Sequence, residues 1–141
     1  MKKLTAKQLE DLLLTRAMAD YVHKEERFES LNDVIDEVFA DGALNREDYL
    51  HSIMQLTQFG YVISDIESEE DIEMSEAVGY DIKGLTPKAI EYVSDLENDK
   101  AAGEKVKSFF IKFYEMCDKL ANSGTVNLAG KLIIPVLKLL V

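Results

Sequence analysis

The sequence predicts a mainly α (α+β) protein in which three helices, a β-hairpin and a further helix precede a C-terminal helical extension. Helix-capping patterns recur where apolar repeats of helical period begin. The stretch GYDIKGLTPKAIEYVSDL alternates like a strand as far as Leu85 and then follows a helical period from Pro87. The charge changes sign near residue 100: residues 1–99 carry 9 Lys and Arg against 24 Asp and Glu, and residues 100–141 carry 7 Lys against 3 acids. We therefore predict two units, residues 1–99 and 100–141.

The first helix is predicted from about residue 6 to residue 24. Thr5-x-x-Gln8 is a capping-box pattern. The apolar residues that follow it share one helix face, which is expected to be buried and consists of Leu9, Leu12, Leu13, Ala17 and Tyr21.

A second, shorter helix follows Ser30, which is a good N-cap residue. Its predicted buried stripe is Leu31, Val34, Ile35 and Val38, and Asp41-Gly42 ends it. Asn45-x-x-Asp48 caps a third helix, with Leu44 and Tyr49 spaced for a hydrophobic staple, and Gly60 closes that helix.

Two strand-like runs, YVISDI and VGYDIKGL, then flank a polar acidic stretch, which predicts a hairpin with a long tip. Thr86 caps the next helix and Pro87 occupies its first position, where a missing N–H costs nothing. Its predicted inward face is Ala89, Ile90, Val93 and Leu96.

The order helix, helix, helix, hairpin, helix is that of a winged helix. The chain resembles small bacterial and phage winged-helix proteins, including the YjcQ-like group, in which GYI opens the wing and LTxKGIEYL starts the helix behind it. Here those places hold Gly60-Tyr61-Val62 and Leu85-Thr86-Pro87-Lys88-Ala89-Ile90-Glu91-Tyr92-Val93. The resemblance covers about residues 6–97. Ala89 stands where Gly is common, and the tail beyond Lys100 has no counterpart.

The resemblance implies DNA binding, with the third helix in the major groove and the wing on the backbone. Gln55 and Gln58 are suited to adenine edges, and Arg46 to a guanine or a phosphate. With His51 they form the candidate nucleic-acid site. Glu47 and Asp48 at the same helix end oppose it, and an ordinary solvated helix face is the alternative.

The predicted wing has eight acids and no Lys or Arg between Asp65 and Asp81. Such a tip repels phosphate and favours a basic protein partner, while a solvated loop and a calcium site are the alternatives. The loop lacks the spacing of an EF-hand, so no metal is predicted. The candidate interaction residues are Glu67, Glu69, Glu70, Asp71 and Glu73.

Catalysis has little support in the sequence. The two histidines have no metal-site spacing, Cys117 reads as a buried thiol, and there is no Gly-rich phosphate loop. We therefore predict neither enzyme activity nor a cofactor. The net charge of -11 disfavours non-specific nucleic-acid binding, and the N-terminus lacks the apolar run of a signal peptide, which predicts a cytoplasmic protein.

The tail predicts an amphipathic helix from about 102 to 121, with an apolar face of Val106, Phe109, Phe110, Phe113, Cys117 and Leu120. The segment after Gly124 is apolar nearly all round as a helix, yet Pro135 and two lysines make it a poor membrane span. We expect it to form an oligomer, most simply a dimer, through Leu128, Leu132, Ile133, Val136, Leu137 and Leu140. Packing within one chain and attachment to a membrane surface are the alternatives.

These features together predict a non-enzymatic interaction and assembly module. A dimeric winged-helix transcriptional regulator and a membrane-surface protein are the alternative functions.

Overall fold

A computed structural model of the chain describes residues 4–24, 28–40, 42 and 44–123. Within these ranges the protein is mostly helical, with a small antiparallel sheet, as the α+β prediction stated. The elements in chain order are α1 (Ala6–Lys24), α2 (Leu31–Ala40), α3 (Arg46–Gln58), β1 (Val62–Ser64), α4 (Glu69–Val78), β2 (Ile82–Leu85), α5 (Pro87–Asn98) and α6 (Gly103–Ser123).

Helix α1 begins at the predicted capping box. The Gln8 N–H donates to Thr5 Oγ1 at 3.1 Å, and the Thr5 N–H donates to Gln8 Oε1 at 2.8 Å. The predicted apolar face is buried, but the prediction of a single buried face was too narrow. Gln8, Asp11, Leu14, Thr15 and Met18 are buried as well. These further residues are buried by tertiary packing, since α1 contacts α2, α3, α6 and β2.

Helices α2 and α3 follow their predicted start and stop signals. Ser30 Oγ accepts from the Asp33 N–H, and Asp33 Oδ2 accepts in return from the Ser30 N–H, both at 3.2 Å. The four residues of the predicted α2 stripe are buried. Asn45 Oδ1 accepts from the Asp48 N–H at 3.0 Å to cap α3. Gly42 and Gly60, after the two helices, have φ of 76° and 83°, which suits glycine.

The two strands pair as predicted, with Val62 opposite Leu85 and Ile63 opposite Gly84, but the connection between them is not a loop. The acidic tip contains helix α4. Ser68 and Asp71 form a reciprocal capping box at its start. The acids in its first turn complement the positive end of the helix dipole, and Ile72 and Ser75 bury its inner side.

Helix α5 begins at Thr86 and Pro87 as predicted. Thr86 Oγ1 accepts from the Ala89 N–H at 3.3 Å and donates to the Gly60 carbonyl at 2.7 Å. Ala89 and Val93 are fully buried and Leu96 is half-buried, but the inward placement of Ile90 was wrong, since its side chain is 47% exposed. Tyr92, on the other flank of the buried face, is half-buried, and its ring centroid lies 5.9 Å from that of Tyr61.

The predicted amphipathic helix of the tail is α6, and its apolar face packs within the chain against α1 and α5. Val106, Phe109, Phe110, Phe113 and Cys117 belong to the same core as the buried residues of α1. The turn from α5 into α6 is close, because a Cβ on Gly103 would lie 2.4 Å from the Glu97 carbonyl oxygen. The side chain of Leu120 and the predicted oligomerisation residues from Leu128 to Leu140 lie outside the described part.

One edge of strand β2 is covered by a side chain. The Asn32 amide, on α2, donates to the Tyr80 carbonyl at 2.7 Å and accepts from the Ile82 N–H at 3.2 Å. These two bonds imitate those of a neighbouring strand, so Asn32 satisfies backbone groups that would otherwise be unpaired.

We expect Asn32→Ala to lower the free energy of unfolding by about 1 to 3 kcal/mol, because it removes both partners of a half-buried backbone edge. Urea denaturation followed by circular dichroism measures this change. Asn98→Ala, at an exposed position at the end of α5, is the control and should change stability by less than about 0.5 kcal/mol. Equal effects of the two substitutions would contradict the role given to Asn32.

Candidate functional site

The acidic helix α4 lies beside the N-terminal half of α3, and a cleft of about 220 Å³ separates them. Its floor is apolar, from Leu50 of α3 and Ile72 of α4. Its walls carry Glu47, Glu73 and Glu76, together with Arg46. Three carboxylates thus face one guanidinium, and the cleft has a net negative charge.

Arg46, the cation of the candidate nucleic-acid site, is half-buried rather than projected into solvent. Its guanidinium carbon lies 5.0 Å from the centroid of the Tyr80 ring, which is a cation–π arrangement. Its Nε is buried, and in the described part of the chain this atom has no hydrogen-bond partner. The stacking on Tyr80 holds Arg46 against the body of the protein.

The other three predicted nucleic-acid residues lie on α3 and also make contacts within the chain. His51 Nδ1 lies 2.9 Å from the Glu47 carbonyl oxygen. Gln55 Oε1 accepts from Gln8 Nε2 at 2.7 Å, and Gln58 Nε2 donates to the Glu67 carbonyl at 2.9 Å. Both glutamines are exposed, but reading a base would require each to exchange an existing hydrogen bond.

Four of the five predicted acidic interaction residues are exposed on or just before α4: Glu67, Glu69, Glu70 and Glu73. Asp71 differs, because it is half-buried and its Oδ2 accepts from the Glu67 N–H at 2.9 Å and the Ser68 N–H at 3.1 Å. Asp71 therefore shapes the surface that the other carboxylates present. Glu76 adds a further exposed carboxylate at the cleft.

Behind this surface, polar side chains lie between α1 and α3, and we call them the polar seam. Hydrogen bonds join Gln8 with Gln55 and Thr15 with Tyr49, and Asp11 and Ser52 lie between these two pairs. The residue numbers run in opposite directions, so the helices are antiparallel. Thr15 uses its hydroxyl hydrogen for the Asp11 carbonyl at 2.7 Å, so the Tyr49 hydroxyl must donate to Thr15.

Asp11 is the ionisable member of the polar seam. Its side chain is buried, and this burial raises the pKa of its carboxyl group from 3.8 to about 7, against the lowering effects of Lys7 and Ser52. Lys7 Nζ lies 3.2 Å from Asp11 Oδ2, but the lysine is 46% exposed and its charge is screened by water. The salt bridge therefore offsets only part of the cost of burying the charge.

Sequence reasoning missed two features of this region. Helix α4 had a local signal, because Ser68-x-x-Asp71 is a capping pattern directly before Ile72. The polar seam had a weaker sequence signal. Gln8, Asp11 and Thr15 are spaced three and four apart, as on one helix face, but polar residues at that spacing are usually solvated.

Comparisons with known proteins identify no relative: no family model, no curated protein and no solved structure matches the chain. Among the described residues, no group of three or more His, Cys, Asp or Glu side chains is arranged to hold a metal ion. Nor is any helix in the described ranges long and apolar enough to cross a membrane.

The polar seam generates a prediction about pH. A carboxyl group whose pKa is higher in the folded protein than in the unfolded chain does not lower stability at a pH below its unfolded pKa. Its ionisation lowers the free energy of unfolding progressively as the pH rises from about 4 to about 7. We expect Asp11→Asn to raise the free energy of unfolding by about 1 to 3 kcal/mol at pH 8 and to change it little at pH 4.

Urea denaturation of both proteins at the two pH values measures this difference. The exposed Asp95, changed to Asn, is the matched control and should show no pH-dependent difference from the natural chain. If Asp11→Asn is destabilising at pH 8, the ionised carboxylate stabilises the fold. The inference that burial of its charge lowers stability is then wrong.

Proposed function

We propose that this chain is a winged-helix-like interaction module that binds a basic protein partner through the acidic surface of α3 and α4. The observation that carries the proposal is the placement of α4, with exposed acids at Glu69, Glu70, Glu73 and Glu76, between the two strands of the wing and against α3. In a winged helix, the third helix and the wing together face the nucleic acid.

The charges on this face favour a cationic partner. Glu69, Glu70 and Glu73 are exposed on α4, and Glu47 and Asp48 are exposed at the start of α3. Arg46 is held on Tyr80, and phosphate would have to approach past these carboxylates. Lysine or arginine side chains of a protein would instead gain from the same field, mainly in association rate and in partner choice.

The exposed glutamines support the alternative, a DNA-binding regulator. Gln55 and Gln58 lie on the side of α3 that a major groove would meet, and neither is buried. Their present hydrogen bonds to Gln8 and Glu67 are replaceable contacts at a surface. A direct test of both ligands therefore separates the two functions.

We expect a fluorescent oligolysine peptide to bind the full chain at low ionic strength, in fluorescence anisotropy, and mixed-sequence duplex DNA not to bind. Changing Glu69, Glu70 and Glu73 together to Gln should weaken peptide binding about tenfold, since each exposed charge contributes a few tenths of a kcal/mol to 1 kcal/mol. The matched control removes three exposed carboxylates elsewhere, as Glu91→Gln, Asp95→Asn and Glu104→Gln.

Equal losses in the two triple variants would show that only net charge matters, and the surface assignment would fail. Sequence-selective DNA binding that is lost in Gln58→Ala would replace the proposal with the regulator.

We further propose that the chain assembles as a dimer through the apolar residues after Gly124. Each aliphatic side chain removed from water contributes about 1.5 to 3 kcal/mol, so the burial of several of these residues together offsets an association cost of about 4 to 15 kcal/mol. Leu137→Asp should therefore raise the dimer dissociation constant at least about tenfold in light scattering. Lys138→Gln, at the neighbouring polar position, should not. A full-length chain that is monomeric at tens of micromolar contradicts this assembly.

A further inference from the structure

Two shallow depressions of about 310 and 190 Å³ share Ala19 of α1 in their lining, and together they are here called the α1–β2 groove. Val22 of α1, Ile82 and Leu85 of β2 and Ile90 of α5 supply its apolar lining. Ile90 is the residue that the helical period of α5 directed inward and that the structure leaves 47% exposed. The groove and the cleft between α3 and α4 share no lining residue.

The rim of the α1–β2 groove carries both charges. Asp20, Glu29 and Asp81 provide three carboxylates, against the cations of Arg16 and Lys83. Arg16 forms an ion pair with Asp20. The remaining charged lining residues are two carboxylates, Glu29 and Asp81, and one cation, Lys83, so the rim has a net negative charge. A ligand suited to this groove is an apolar chain segment with few charges, and those charges positive.

The segment Thr125–Val141 has this composition. It is aliphatic over most of its length, it has no Asp or Glu, and its charged residues are Lys131 and Lys138. It is too apolar to leave in water without exposing a large patch.

The direction of α6 shows where this segment leaves the body. Phe110 lies beside Arg16, the Tyr114 hydroxyl donates to Asp20 at 3.0 Å, and the Tyr21 hydroxyl donates to Asp118 at 2.6 Å. Residue numbers rise together on the two helices, so α6 runs parallel to α1. It carries the chain past the level of Asp20 to the end of α1, where Val22 and Glu29 line the groove.

We propose that the segment Thr125–Val141 of one copy binds in the α1–β2 groove of a second copy. The proposed dimer selects a second copy as the receiver, because a segment bound in the groove of its own chain would not join two copies. Reciprocal exchange of two such segments gives a closed two-fold dimer in which both grooves are filled. This inference rests on the assembly part of the proposed function and names the surface that receives the segment.

The test uses the full chain and two matched substitutions, Ile90→Lys in the groove and Ile111→Lys on α6, where the isoleucine is 57% exposed. Light scattering gives the mass, and hydrogen–deuterium exchange gives the protection of the amides after Gly124. We expect the natural chain and Ile111→Lys to be dimers with protected amides in this segment. In Ile90→Lys we expect at least a tenfold larger dissociation constant and faster exchange of those amides. Circular dichroism verifies that both variants are folded.

The outcomes separate the groove from the assembly. A dimer that Ile90→Lys leaves unchanged overturns the groove and leaves the proposed dimer in place. If the chain is a monomer and the amides after Gly124 lose protection in Ile90→Lys, the groove binds the segment of the same chain. That result overturns exchange between copies. A monomer with no protection in the segment contradicts both the groove and the dimer.

Discussion

The burial of α1 on nearly every side is the constraint on which the rest of the described structure depends. Leu12, Leu13 and Ala17 are fully buried because α2, α3, α6 and β2 all pack on this helix. A helix with one apolar stripe needs one neighbour, but α1 needs several, and α6 is among them. The polar seam adds specificity to this packing, since a shift of α3 along α1 would leave the buried Tyr49 hydroxyl without the Thr15 oxygen to which it donates.

The sequence predicted most elements because their boundaries depend on local chemistry. Thr5 with Gln8, and Thr86 with Pro87, cap helices through contacts a few residues apart, so neighbouring residues suffice to find them. Ile90 shows where local reasoning ends. Its spacing fits the inner face of α5, yet the helix buries Ala89 and Val93 and turns Tyr92 toward Tyr61, which lies far away in sequence. The second buried side of α1 was missed for the same reason.

The candidate site likewise has features that the local sequence predicts and contacts that only the fold shows. The positions of Gln55 and Gln58 on α3 follow from the helical period, but their partners, Gln8 and Glu67, do not. Arg46 was expected to contact a guanine or a phosphate, and only the fold brings Tyr80 beneath it. The acidic stretch was identified from its composition. The helix within it was not predicted, because a run of carboxylates suggests a solvated loop.

The presence of α4 changes what the acidic stretch can do. In a solvated loop, each carboxylate would be spread over many positions, and a partner would have to order the chain on binding, at about 1 to 2 kcal/mol for each backbone residue fixed. Here Asp71 and Ser68 fix the start of the helix, Ile72 anchors it, and Gln58 holds the segment before it. The exposed glutamates are therefore presented from an already ordered backbone. Because that cost is met on folding, the same charges would discriminate between the proposed partners more strongly on this helix than they would on a loop.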